Sequence, residues 1–279
     1  MTTTSTTSVG QLSRRNCARR SARVQQLEAR PEQVLHATYL GRKHPAADVE
    51  NVVLFNIDDA GRSFAGAARF GLRFELAARC PTSPIGKQYP CGYRYELVPR
   101  SAGFRHWHDG RELASWDWID LRAFSGEKKL EQVWLALARS DLHCASPGRA
   151  PGAPFAVLVT IRPPRGITPV LGGLVKGIFD GVVAAFQAHA DRSNVAVLAQ
   201  RVSHHVTASP REIEALLLNQ EKAVLGVVPR LLHVRDKGVQ WAPADNLCVA
   251  GELLTEEPDA STWAIKGRIV EIELRSGIT

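Results

Sequence analysis

Three polar side chains share one edge of an otherwise apolar, glycine-rich segment, Pro169 to His189. At about 100° per residue, Lys176, Asp180 and Gln187 fall within about 40° of one another, so a helix here presents an ammonium, a carboxylate and an amide along one narrow stripe. A lysine and an aspartate four apart can be a surface ion pair worth ~0.3 kcal/mol. They can also handle charge: a carboxylate oxygen suits a hard divalent cation, and an ammonium stabilises charge developing on phosphate. The rest of the segment is built for close packing. Leu171, Leu174, Val175, Ile178, Val182 and Phe186 form a wide apolar stripe. Gly173, Gly177, Gly181 and Ala185 form a second ridge of small residues. Each glycine costs a helix about 1 kcal/mol relative to alanine, so this ridge implies the close approach of another backbone.

Other candidate chemistry is sparse. His106 and His108 lie two apart on a predicted strand, and Cys80 with Cys91 would complete four zinc ligands if the strands were neighbours. That spacing matches no known zinc motif, and half-buried imidazoles in an aromatic hairpin are the simpler account. The remaining cysteines, Cys17, Cys144 and Cys248, are scattered, which points to reduced thiols. The chain has no GxSxG, no P-loop, no GxGxxG after a strand and no HExxH.

The run of strand, Pro-Pro, then a helix with Lys-x-x-x-Asp resembles the RusA-type Holliday junction resolvases. Their motif is Asp-x-Asp-Asn, then that helix, then a later Asp before a strand. Lys176 and Asp180 match the helix pair, and Asp245 in GVQWAPADN, ahead of LCVAGEL, matches the later acid. The resemblance covers residues 155–275 at most. It implies catalytic roles for Lys176, Asp180 and Asp245, with Asp180 and Asp245 holding Mg²⁺ or Mn²⁺, and DNA or RNA as partner. It departs at the paired acids, where Val170 and Gly172 stand. Asp48-Val-Glu50-Asn51 has the missing pattern but lies far upstream. Either two degenerate halves complement one another across a folded interface, or the match is chance, and so common a string favours chance.

The elements that must position these residues predict an α+β fold. Residues 1–47 read as a disordered basic tail whose removal leaves a folded protein. Residues 48–143 read as an antiparallel β-rich region. It includes half-buried strands at 70–76 and 93–97, a hairpin turning at Asp109–Gly110, and an amphipathic helix near 127–139. Residues 144–154 read as a linker or long loop. Residues 155–279 read as an α/β region: a central strand at Phe155–Ile161, the glycine-ridged helix, and a helix capped by Ser209 with Pro210 and Glu212. Strands at Val227–Val234, Asn246–Leu254 and Ala264–Leu274 close it. Whether this is two domains or one continuous sheet stays open.

The net charge of +7 is concentrated at the start. Residues 1–47 carry eight basic and two acidic groups, against 27 and 26 in the rest, so the body is nearly neutral. Such a segment either is a solvated tail or supplies salt-sensitive affinity for nucleic acid. No apolar run is long enough to span a membrane, and the Thr/Ser-rich start lacks the apolar core of a secretory signal. With an Ala/Arg/Val/Gly bias, this reads as a cytoplasmic bacterial protein. The expected function is action on nucleic acid, which the resemblance to the RusA-type resolvases narrows to a divergent metal-dependent nuclease. The alternative is a non-catalytic binding or assembly protein in which the small-residue ridge is a subunit or domain contact, a homo-oligomer being one form of it.

Overall fold

The computed structural model describes residues 5–8, 26–42, 48–54, 64–77, 79, 80, 82, 86, 88–122, 124, 129–236, 238–258 and 261–275. Its frame is one nine-stranded sheet, in the order β1-β4-β2-β3-β12-β7-β13-β5-β6. The strands are β1 (Ser5–Ser8), β2 (Gln33–Gly41), β3 (Gly71–Ala77), β4 (Cys91–Pro99), β5 (Trp107–Arg122), β6 (His143–Cys144), β7 (Phe155–Arg162), β12 (Cys248–Thr255) and β13 (Trp263–Leu274). Helices α1 (Val49–Leu54), α2 (Lys129–Arg139), α3 (Val175–Ala185), α4 (Val195–Val202) and α5 (Pro210–Leu218) complete the α+β fold. Two small sheets pair β8 (Gln187–His189) with β9 (Gly226–Val228), and β10 (Leu232–Arg235) with β11 (Gly238–Trp241). No helix among the described residues is long and apolar enough to cross a membrane.

The two halves read from the sequence are one body. β12, from the C-terminal half, lies between β3 and β7, and β5 closes against β13. The segment read as a linker is fastened down: Ala145 N–H donates to Leu113 O, and Arg111 donates to the carbonyls of Pro147 and Gly148. The N-terminal half is not purely antiparallel either, because β2 runs parallel to β3.

Three local expectations are corrected. Residues 33–41 are not tail: β2 sits between β4 and β3, with Val34, Leu35, Ala37 and Leu40 almost wholly buried. The basic residues of 9–25 and Lys43 lie outside the described residues. Asp109–Gly110 is no hairpin turn, because β5 runs straight through it. Asp109 faces Ile272 and Glu112 faces Val270, so two residues of β5 oppose Glu271 alone. That is a β-bulge. Finally, Arg73 and Glu75 alternate with apolar neighbours yet are buried, because residues 100–107 cover that face of the sheet. Arg73 Nε donates to Glu252 at 2.7 Å, and Glu75 accepts the backbone N–H groups of Arg105 and His106. Buried charges of this kind persist only when paired.

Glycine sets how closely α3 packs. A Cβ on Gly181 would stand 2.7 Å from Val133 Cβ and one on Gly177 2.9 Å from Lys129 Cβ, so the ridge is filled by α2 of the same chain. On the sheet side, Gly251 of β12 leaves room for Phe179, whose ring meets Phe74 at 5.0 Å. At these two glycines the ridge is therefore a contact within the chain and is closed to another subunit.

Two outcomes follow from this packing. Gly181→Leu should lower stability by about 1–3 kcal/mol through overpacking. The loss in thermal denaturation should be independent of protein concentration, whereas a concentration-dependent midpoint would place the ridge between subunits. Deleting residues 1–47 removes β2 and should yield unfolded protein by circular dichroism; a cooperative melt for the truncated chain would show β2 to be dispensable.

Candidate metal centre

Four carboxylates and one ammonium gather at a single edge of the sheet. The registers place the C-terminal ends of β2 and β3 beside the N-terminal ends of β12 and β7. Asp48 and Glu50 follow β2, Asp245 precedes β12, and α3 brings Lys176 and Asp180. The ligand oxygens of Asp48, Glu50 and Asp245 all lie within 4.8 Å of one another. Lys176 Nζ lies 3.4 Å from Asp48 Oδ2, 3.8 Å from Glu50 Oε1 and 3.2 Å from Asp180 Oδ2.

Local structure aims each group. Asp48 stands at the start of α1, where its carbonyl accepts from Val52 N–H, and Asn51 Nδ2 donates to Asp48 Oδ2 at 2.6 Å. The Tyr95 hydroxyl donates to Val53 O at 2.5 Å and pins this short helix to β4. Val49, Val53 and Leu54 pack into the core, which carries Glu50 inward with them. Asp245 sits in a turn whose carbonyl accepts from Cys248 N–H.

The electrostatics are unbalanced. Fully ionised, Asp48, Glu50, Asp180 and Asp245 carry four negative charges against one on Lys176. Burial, then the neighbouring Asp48, pushes Glu50 up to about 8. Burial, then repulsion and a hydrogen bond from Asp48, pushes Asp245 up to about 7. Asp180 is raised as well, chiefly by burial. Burial disfavours the Lys176 ammonium, but the attraction of Asp180, Glu50 and Asp48 outweighs it, so its pKa rises and it stays charged. Glu50 Oε1 is buried without a hydrogen-bond partner. An oxygen-only donor set with surplus negative charge and a buried oxygen that accepts no hydrogen bond fits a hard divalent cation such as Mg²⁺ or Mn²⁺.

Of the residues singled out from sequence, the structure brings Lys176, Asp180 and Asp245 to one place. It brings Asp48 and Glu50, from the Asp48-Val-Glu50-Asn51 string, to the same place. The carboxylates that lie within ligand distance of one another are Asp48, Glu50 and Asp245, while Asp180 pairs with Lys176. Val170 and Gly172 take no part, the former being exposed and the latter buried in a 3₁₀ turn. Among the described residues Cys80, Cys91, His106 and His108 form no candidate metal group, in keeping with the simpler account of the hairpin imidazoles. His106 lies beside Glu75, His108 pairs with Glu273, and Cys91 neighbours Tyr39. A cavity of about 580 Å³ lined by His189, Arg230 and His233 shares no residue with the carboxylates.

No family model and no curated protein matches this chain.

The raised carboxyl groups give a signed pH dependence. The folded state binds more protons than the unfolded one between the ordinary carboxyl range and about 7 to 8, so stability contributed there falls as pH rises through that window. With EDTA present, the melting temperature should drop from pH 6 to pH 9, and Glu50→Gln should flatten the drop. Added Mn²⁺ should stabilise more at pH 8.5 than at pH 6, because binding must displace protons. A Mn²⁺ effect that is absent, or equal at both pH values, would contradict the site.

Proposed function

We propose that this protein is a divalent-metal-dependent nuclease related in design to the RusA-type resolvases. The observation that carries the reading is the convergence of Asp48, Glu50 and Asp245 around Lys176. The groups also occur along the chain in the order of that family's motif: an Asp-x-acid-Asn string, a helix with Lys-x-x-x-Asp, then an aspartate before a strand. Here the first string is separated from the helix by about half the chain's β-structure. Folding reunites them.

Asp48, Glu50 and Asp245 would hold the cation, which when bound supplies Lewis-acid stabilisation of phosphate charge. Asn51 keeps Asp48 oriented through its 2.6 Å bond. Lys176, whose side chain is 44% exposed, presents a permanently charged ammonium to a phosphate oxygen. Asp180, mostly buried beside it, fixes where that ammonium points. Arg42, exposed at the end of β2, and Lys43 next to it in sequence supply positive charge a few residues before Asp48. The basic N-terminal segment extends that attraction to a polyanion. Duplex or branched DNA is the proposed substrate, with RNA as the other polymer to assay.

Purified protein should cleave DNA only when Mg²⁺ or Mn²⁺ is added. Asp48→Asn, Glu50→Gln and Asp245→Asn should each abolish cleavage with folding retained, since the amides keep shape but lose the anionic ligand. Lys176→Ala should lower kcat by about 10²–10³-fold with less effect on KM. No metal-dependent cleavage of linear, branched or RNA substrates, or full activity in Asp245→Asn, would overturn the reading.

A further inference from the structure

We infer that Gln187 is a positioning residue whose side-chain amide holds the Asp245 loop and thereby sets the affinity of the carboxylate cluster for a divalent cation. The inference rests on the metal-site reading above and adds a residue to it. Gln187 falls on the same polar stripe as Lys176 and Asp180 in sequence, but the helix ends at Ala185 and Gln187 opens β8. Its side chain is nearly wholly buried. Nε2 donates to Ala244 O at 2.9 Å, and Oε1 accepts from Ala244 N–H at 3.0 Å. A primary amide matched to both backbone groups of one residue acts like a strand partner, fixing position and orientation together.

Ala244 is the residue immediately before Asp245. The other backbone bonds of this loop join Ala242 N–H to Leu231 O, Phe155 N–H to Leu247 O and Cys248 N–H to Asp245 O, with a local turn from Asp245 N–H to Pro243 O. None of these reaches the chain segment that carries Lys176 and Asp180. Gln187 does, because β8 continues directly from α3. It thus ties the loop bearing one carboxylate to the element bearing the lysine and Asp180. Ala244 is itself exposed, so without Gln187 solvent would satisfy its N–H and C=O. Groups that orient a ligand from behind typically contribute about 10–100-fold to metal affinity.

The test compares full-length wild type with Gln187→Met, which keeps the length but loses both bonds, and Gln187→Asn, which keeps the amide but falls short. Mn²⁺ affinity is measured by calorimetry at pH 8, and exchange of the Ala244 amide by hydrogen–deuterium exchange. Ile269→Val, a buried change on β13, serves as a control for general loss of stability. The expected result is Mn²⁺ binding weakened about 10–100-fold in both Gln187 variants. Ala244 exchange should accelerate while α3 and β12 stay protected, and Ile269→Val should bind as wild type does. Cleavage by the Gln187 variants should recover at higher Mn²⁺, which a folding defect would not allow. Wild-type Mn²⁺ affinity in both variants would overturn the role of Gln187 and leave the metal site standing. Absence of Mn²⁺ binding in wild type would overturn the site and this inference together.

Discussion

The ion contacts of Lys176 with carboxylates from a segment 128 residues away are the constraint around which the site is organised. One ammonium cannot neutralise four carboxylates, and all four of those groups sit at least half out of water. Repulsion among them would drive the segments apart unless protons or a cation supplied the missing positive charge. Burial first, and then repulsion from Asp48, raises Glu50 and Asp245. A fold stabilised for its own sake would have little use for a buried glutamate with an oxygen that accepts no hydrogen bond. That cost is understandable where a cation completes the cluster.

Packing decides whether the cluster can exist at all. α3 must lie close to β12 on one side and α2 on the other, or Lys176 and Asp180 would swing away from the sheet edge. Gly251 admits Phe179, and Gly177 with Gly181 admits α2. The glycines therefore weaken the helix intrinsically while making its placement possible. Tyr95 does similar work for α1, a six-residue helix too short to be stable alone, by donating its hydroxyl to Val53 O and so tying the helix to β4.

Much of this was legible in residue order, and the failures have physical causes. The apolar stripe of α3, the Ser209 cap and the continuous apolar run of β7 are local signals, and each lies where its pattern placed it. Lys176 and Asp180 stand out by type and spacing, whereas Asp245 is picked out only by the resemblance to the resolvases. Glu50 and Asp48 were visible as a string, but their partnership with Lys176 depends on β2 and β12 ending at the same edge, which is a non-local fact of topology. β2 itself was hidden because His36, Thr38 and Gln33 interrupt its apolar residues, and a sheet with both faces covered can bury such groups. Asp109–Gly110 carries a turn signature that serves equally well for a bulge, and only the partner strand distinguishes the two. Gln187 announced itself as part of a helical stripe; its actual role follows from the helix stopping two residues earlier.

The most direct measurement is a crystal structure of the protein grown or soaked with Mn²⁺ at pH 8, with anomalous data locating the ion. The account predicts one strong peak within about 2.0–2.4 Å of oxygens from Asp48, Glu50 and Asp245, with Lys176 still paired to Asp180. No peak at that edge, with Lys176 bridging the carboxylates unchanged in saturating Mn²⁺, would contradict it.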